Sequence, residues 1–197
     1  MTGAFVRAAA LASALGPHLE AAVERLAGAP VAPVRNTKIG GAWPYFAIPI
    51  SGGNWRTRTE AIARSVAEDL RRVAAIAPAR WAELPCIVGS SSFSVGAWDD
   101  GGWEALEPSF EFASRLARGF GAHGPVTAVS TTCTSGLSAL DIALGLVAGG
   151  EFRDALVLGA EFSNRLTVAG FAGLELLSAT AARPCDRERD EIGRAHV

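Results

Sequence analysis

Residues 125–160 constrain the fold more than any other stretch of the chain. Val126-Thr127-Ala128-Val129 is a β-prone run, and Ser135 to Val147 is apolar nearly all round, the pattern of a buried helix. Gly149-Gly150 ends that helix, and Ala155-Leu156-Val157-Leu158 follows as a second short apolar run. Strand, buried helix and strand make a βαβ unit, whose two strands run parallel. The chain therefore reads as α/β.

Upstream, Cys86-Ile87-Val88-Gly89 reads as a further buried strand running into Ser90-Ser91-Ser92. Thr59 is placed to cap a helix over 60–77, with Ile62, Val66, Leu70 and Val73 as its apolar stripe and Pro78 as its stop. A further helix is expected over 108–118. Leu19, Ala22, Val23 and Leu26 recur at helical spacing up to Gly28. Residues 5–15 would pass for a helix on propensity alone. Residues 29–57, with Pro30, Pro33, Pro44 and Pro49 and the pairs Gly40-Gly41 and Gly52-Gly53, read as irregular.

Composition excludes several classes. A formal charge of -2 with scattered arginines gives no general pull on nucleic acid. No apolar run is long enough for a bilayer, and the N-terminus lacks a basic signal-peptide start, so a cytoplasmic protein is expected. Cys86, Cys133 and Cys185 are widely spaced, with no CxxC pair and no cluster with the histidines. Neither a disulfide framework nor a metal site is expected.

Cys133 lies where the strand at 126–129 turns into the apolar helix. A thiol at a helix N-terminus faces unpaired N–H groups and the positive end of the dipole. Both favour thiolate, and the same N–H groups can stabilise an oxyanion on a thioester at that sulfur. The competing reading is a small buried hydrophobe, the state of most free cysteines. An α/β-hydrolase elbow fits poorly, because Thr131 stands two before Cys133 and Gly136 three after it.

Val129-Ser130-Thr131-Thr132-Cys133-Thr134-Ser135-Gly136-Leu137-Ser138-Ala139-Leu140 resembles the active-site cysteine motif of β-ketoacyl synthases. Asp154 to Glu161 resembles the strand that follows in that family. Gly170-Phe171-Ala172-Gly173-Leu174 is similar to its glycine–phenylalanine segment near the acyl pocket. Arg183 to Asp190 resembles its Arg-Pro-Phe-Asp…Arg-Asp signature, with Cys185 replacing the phenylalanine. Ala12 to Gly16 with the 17–27 helix is similar to its first turn and helix, which places a strand around residues 4–10.

The resemblance implies the N-terminal half of a thiolase-like fold, with a central mixed sheet and a buried helix after the nucleophile. It implies that Cys133 accepts an acyl group from the phosphopantetheine of an acyl carrier protein. A malonyl-carrier thioester then loses carbon dioxide, and its carbanion attacks the acyl-cysteine. No cofactor is bound in this chemistry. Phe171 is implied to line the acyl pocket, with an ordinary core role as the alternative. Acyl carrier protein is the implied partner, together with a homodimer or a heterodimer with a related subunit. The pathway would be fatty acid, polyene or polyketide synthesis.

The family's two histidines and its lysine have no match here, since His18 and His123 precede Cys133 and His196 is in the final peptide. Residues 1–190 are thus expected to be a truncated synthase domain, inactive alone. Residues 191–197 read as a translated sequencing adapter and are expected to be non-native. The competing functions are a degradative thiolase acting on acyl-coenzyme A and a non-catalytic partner subunit that sets chain length.

Overall fold

A computed structural model describes residues 3–28, 31–36, 43–48, 52–180, 183 and 186–188. The elements in chain order are α1 (Leu19–Leu26), β1 (Val34–Asn36), β2 (Trp43–Tyr45), α2 (Trp55–Ala74), α3 (Pro78–Ala82), β3 (Cys86–Gly89), α4 (Trp98–Gly101), α5 (Ser109–Gly119), β4 (Val126–Val129), α6 (Ser135–Ala148), β5 (Leu156–Gly159) and α7 (Arg165–Gly173). They divide into two units, one of Met1–Ala10 with Gly53–Phe162 and one of Leu11–Gly52 with Ser163–Val197.

The first unit is built on a sheet in the order β4-β3-β5. Cys86 pairs with Val126 and Leu156, and Gly89 with Val129 and Gly159, all in parallel. The expected βαβ crossover is therefore present, but β3 lies between its two strands. The sheet was expected to be mixed. Its three described strands are all parallel, and the antiparallel ladder of β1 and β2 forms apart, in the second unit.

Side chains alternate across this sheet as the strand period requires. Cys86, Val88, Leu156 and Leu158 join a core with Ala63 and Ala67 of α2 and Phe112, Ala113, Leu116 and Ala117 of α5. Ile87, Val129 and Val157 pack on the other face with Ala139 and Ala143 of α6. With both faces covered, β3 is buried at all four positions, which is why it reads as a continuous apolar run. Phe112 is fully buried and centres an aromatic cluster, with Trp55 and Phe93 at 5.9 Å and Phe162 at 6.2 Å between ring centroids.

Four sequence expectations are corrected here. First, α2 begins earlier than Thr59: Asn54 is the cap, its side chain accepting from Thr57 N at 2.9 Å, and an Asp100 carboxylate oxygen accepts from Trp55 N. Thr59 is buried one turn inside and donates to the Arg56 carbonyl. The fully buried seam of the helix includes Ala63, Ala67 and Ala74, and Val66 and Leu70 of the expected stripe pack beside it, partly buried, while Val73 is exposed. The helix stops at left-handed Ala75, and Pro78 opens α3 instead of closing α2.

Second, residues 4–10 form neither a strand nor a helix. Arg7 instead donates to the Ala74 and Ala75 carbonyls, so the segment is tied to the free carbonyl end of α2. Third, part of the 29–57 stretch is regular: Val34 pairs with Tyr45 and Asn36 with Trp43. Fourth, α6 is not buried all round. Only Ser135, Ala139 and Ala143 are buried, one stripe at i, i+4 and i+8, while Leu137 is 71% exposed. The sheet covers one side of this helix, and its all-round apolarity cannot reveal which side that is.

In the second unit, His18 caps α1 through Nδ1, which accepts from Ala21 N at 3.2 Å. Buried Asn164 caps α7 by accepting from Thr167 N at 2.7 Å. No helix among the described residues is long and apolar enough to cross a membrane. The boundary expected at residue 190 lies outside the described residues.

Candidate active site

The turn carrying Cys133 starts at the carboxyl end of β4. Ser130 and Thr131 lead into a 3-10 turn at Thr132–Thr134, and α6 follows at once. Thr132 has φ of 56°, a left-handed conformation that costs a β-branched residue on the order of 1–3 kcal/mol. A hydroxyl network holds it there. The buried Ser135 hydroxyl accepts from Thr131 N at 3.0 Å and donates to the Thr132 carbonyl at 2.6 Å. Thr134 Oγ1 donates to the Thr131 carbonyl at 2.8 Å, and Thr131 Oγ1 lies 2.8 Å from Ser138 Oγ. Cys133, on this turn, is an exposed residue.

Two glycines seat the helix behind the cysteine. A Cβ on Gly89 would lie 2.3 Å from the Ser135 carbonyl oxygen and 3.0 Å from Gly136 Cα. Gly136 and Gly159 face each other, and a Cβ on Gly159 would meet Gly136 Cα at 3.6 Å. Gly89 and Gly159 are the last residues of β3 and β5. The first turn of α6 thus rests on the carboxyl ends of both strands, the edge where open parallel sheets bind ligands.

The N-terminus of α6 carries no acidic residue in its first turn and no side-chain cap from Thr134. Its positive end is left to act on whatever occupies the Cys133 position. Cys86 shows the opposite environment. It is buried in the central strand, and desolvation pushes its thiol up to about 12.

A second cluster occupies the same end of the sheet. Glu161, two residues beyond β5, accepts from Ser90 Oγ at 3.2 Å, from Ser91 N and from Ser92 Oγ at 2.8 Å. Ser90 Oγ in turn accepts from Phe93 N at 2.8 Å. This carboxylate ties the segment after β5 to the segment after β3. Sequence reasoning assigned no role to Glu161, Ser135, Gly89 or Gly159. A signal existed for the glycines, since Cys86-Ile87-Val88-Gly89 and Leu156-Val157-Leu158-Gly159 both end an apolar run on glycine.

Phe171, the other anticipated site residue, is half-buried on α7, in the second unit rather than that of Cys133. His123 is exposed and bonded through its backbone to Ala82 O at 2.7 Å. Arg183 pairs locally with Asp186 at 4.0 Å and donates to the Glu188 carbonyl. Pro184, Cys185, Arg189, Asp190 and His196 lie outside the described residues.

Residues 109–195 match the family model of the β-ketoacyl synthase N-terminal domain. The ketoacyl synthase alpha subunit of the tetracenomycin polyketide synthase of Streptomyces glaucescens is 44% identical over 78 residues, 36% of this chain and 18% of the relative. The 3-oxoacyl-[acyl-carrier-protein] synthase 2 of Vibrio cholerae is 38% identical over 78 residues, 36% of this chain and 19% of the relative. A ketosynthase from Xenorhabdus doucetiae, solved in complex with its chain length factor, superposes with a TM-score of 0.72 at 20% identity. That likeness covers 93% of this chain and 53% of the solved one, and it establishes the thiolase-like fold. The chain spans about half the length of this solved relative, and its aligned segment about a fifth of the curated ones.

Proposed function

We propose that this chain, whose residues 109–195 match the family model of the β-ketoacyl synthase N-terminal domain, carries the acyl-accepting thiol of a condensing acyltransferase, and that the thiol is Cys133. The observation that carries the reading is an exposed cysteine on a strained turn, at an uncapped helix N-terminus inside the matched segment.

The Cys133 thiolate attacks the carbonyl carbon of an acyl thioester on the phosphopantetheine of an acyl carrier protein. The tetrahedral oxyanion is met by the Cys133 N–H, and the carrier thiol leaves as the acyl-cysteine forms. A malonyl-carrier thioester then loses carbon dioxide, its carbanion attacks the acyl-cysteine, and Cys133 leaves as thiolate. The chain needs no bound cofactor of its own, because phosphopantetheine arrives on the carrier. Phe171 is assigned to the wall of the acyl pocket. A homodimer, or a heterodimer with a related subunit, is the proposed assembly, acting in fatty acid, polyene or polyketide synthesis. Decarboxylation requires proton-handling histidines that the resemblance places beyond the segment matched here. The chain alone is therefore proposed to give no malonyl-dependent product.

The test is acylation by an acyl-pantetheine thioester, read by intact mass and peptide mapping. The parent and Cys86→Ser should gain one acyl group at Cys133, and Cys133→Ala none. An adduct of equal yield on Cys133→Ala sinks the reading. A non-catalytic chain-length subunit is the second reading, favoured by the solved relative captured with such a partner. A folded chain whose Cys133 takes no acyl group supports it. Transfer from acyl-coenzyme A in preference to the pantetheine-carrier thioester would favour the thiolase.

A further inference from the structure

We propose that Ser135 is a positioning residue for Cys133: its hydroxyl closes the turn that holds the preceding residue in a left-handed conformation and so presents the thiol. This deepens the assignment of Cys133 as nucleophile and rests on it.

The geometry separates Ser135 from an ordinary helix-start serine. Its side chain is 3% exposed, and its hydroxyl is used twice. It receives the Thr131 N–H at 3.0 Å and delivers its own proton to the Thr132 carbonyl at 2.6 Å. The two bonds grip the backbone on either side of the Thr131–Thr132 link, with Thr132 at φ of 56°. A threonine left to itself avoids that region, because its branched Cβ crowds the backbone there. Some contact must oppose relaxation, and the Ser135 hydroxyl ties the N–H that precedes Thr131 to the carbonyl that follows Thr132, bracketing both residues. Thr134 Oγ1 and Thr134 N hold the Thr131 carbonyl, at 2.8 and 3.3 Å, and the Ser135 N–H also reaches the Thr132 carbonyl, but it is the Ser135 hydroxyl that links the Thr131 N–H to that carbonyl across the left-handed residue.

Ser135 is itself immobilised from below. Its carbonyl oxygen lies where a Cβ on Gly89 would fall, so the residue is pressed onto the end of β3. The hydroxyl thus transmits a fixed point on the sheet to the cysteine two residues earlier. Losing it lets the turn relax toward negative φ and turns the sulfur away from the N–H groups at the start of α6.

The experiment is the pH profile of Cys133 alkylation by iodoacetamide in the full chain, read by peptide mapping, with the unfolding midpoint measured alongside. The parent should alkylate as a thiol ionising below the free-cysteine value. Ser135→Ala should shift the profile upward and slow alkylation near neutral pH about tenfold, the effect of one unit in thiol pKa. Ser135→Thr, which keeps the hydroxyl, should restore the parent profile. A folded Ser135→Ala with the parent profile overturns the proposal while leaving Cys133 as nucleophile. A parent that alkylates like free cysteine overturns the assignment of Cys133, and the role of Ser135 with it. Should Ser135→Ala fail to fold, amide exchange at Thr131 in the parent decides. Protection of that N–H supports the bond to Ser135, and exchange at the open-chain rate overturns it.

Discussion

Cys86 sits on the central strand with its thiol buried, and that burial raises its pKa to about 12. Cys133 has the same functional group, exposed at a helix N-terminus. The two should separate cleanly in labelling. A thiol reagent should modify Cys133 in the native chain and reach Cys86 only on unfolding, and equal rates at the two would contradict the placement. Cys86 also carries a pH dependence of stability. Its folded pKa lies above its unfolded value near 9.0, so between pH 9 and about 12 the unfolded chain loses this proton and the folded chain keeps it. Stability should therefore be full below about pH 9 and decline as pH rises, by up to about 1.4 kcal/mol per pH unit from this group. Cys86→Ala should flatten that part of a denaturation-midpoint curve. A variant curve as steep as the parent's would assign the loss to other groups. Sequence alone could place Cys133 at a strand-to-helix junction, because residue types mark both elements. It could not give the left-handed Thr132 or the doubly bonded Ser135 hydroxyl, which arise from a turn geometry that residue identity underdetermines.

Among elements, the contact that decides where the cysteine stands is α6 on β3 and β5. Gly89→Ala places a methyl group 2.3 Å from the Ser135 carbonyl, against backbone that has no rotamer to change. It should cost about 1–3 kcal/mol and displace the start of α6. The expected result is a lower denaturant midpoint together with slower Cys133 acylation. An unchanged midpoint would mean that the helix is not seated on this strand. Glu161 acts on the segments beyond the same strands. Glu161→Ala leaves the Ser91 N–H and two serine hydroxyls without their acceptor, a loss of about 1–3 kcal/mol, and Glu161→Gln should recover part of it. Equal midpoints for the two variants would assign the effect to packing rather than to the hydrogen bonds. The strands and the long helices were legible because burial writes itself into apolar runs, as in Cys86–Gly89 and Leu156–Gly159. The start of α2 was misjudged because a cap depends on which oxygen reaches the free N–H groups, and Asn54 and Asp100 both reach them before Thr59. Residues 4–10 were misjudged because strand formation needs a pairing edge, whereas Arg7 binds this segment to a helix end. The parallel order with β3 in the middle is a long-range choice that no local pattern encodes.

At the scale of the molecule, an apolar surface remains to be accounted for. Leu137 of α6 is 71% exposed and Ile142 38%, on a helix whose composition suits burial on every side. The buried stripe of Ser135, Ala139 and Ala143 uses only the side facing the sheet. In the 197-residue chain alone the outer face of α6 is a liability for self-association. The chain should bind a hydrophobic dye at low concentration and sediment as larger species as concentration rises. Leu137→Asn with Ile142→Asn should weaken both, while shifting the stability of the monomer by no more than about 0.5 kcal/mol per site, because neither side chain contributes much to the core. Dye binding and association unchanged in the double variant would place the sticky surface elsewhere. A large loss of stability would mean instead that the two side chains are buried in solution.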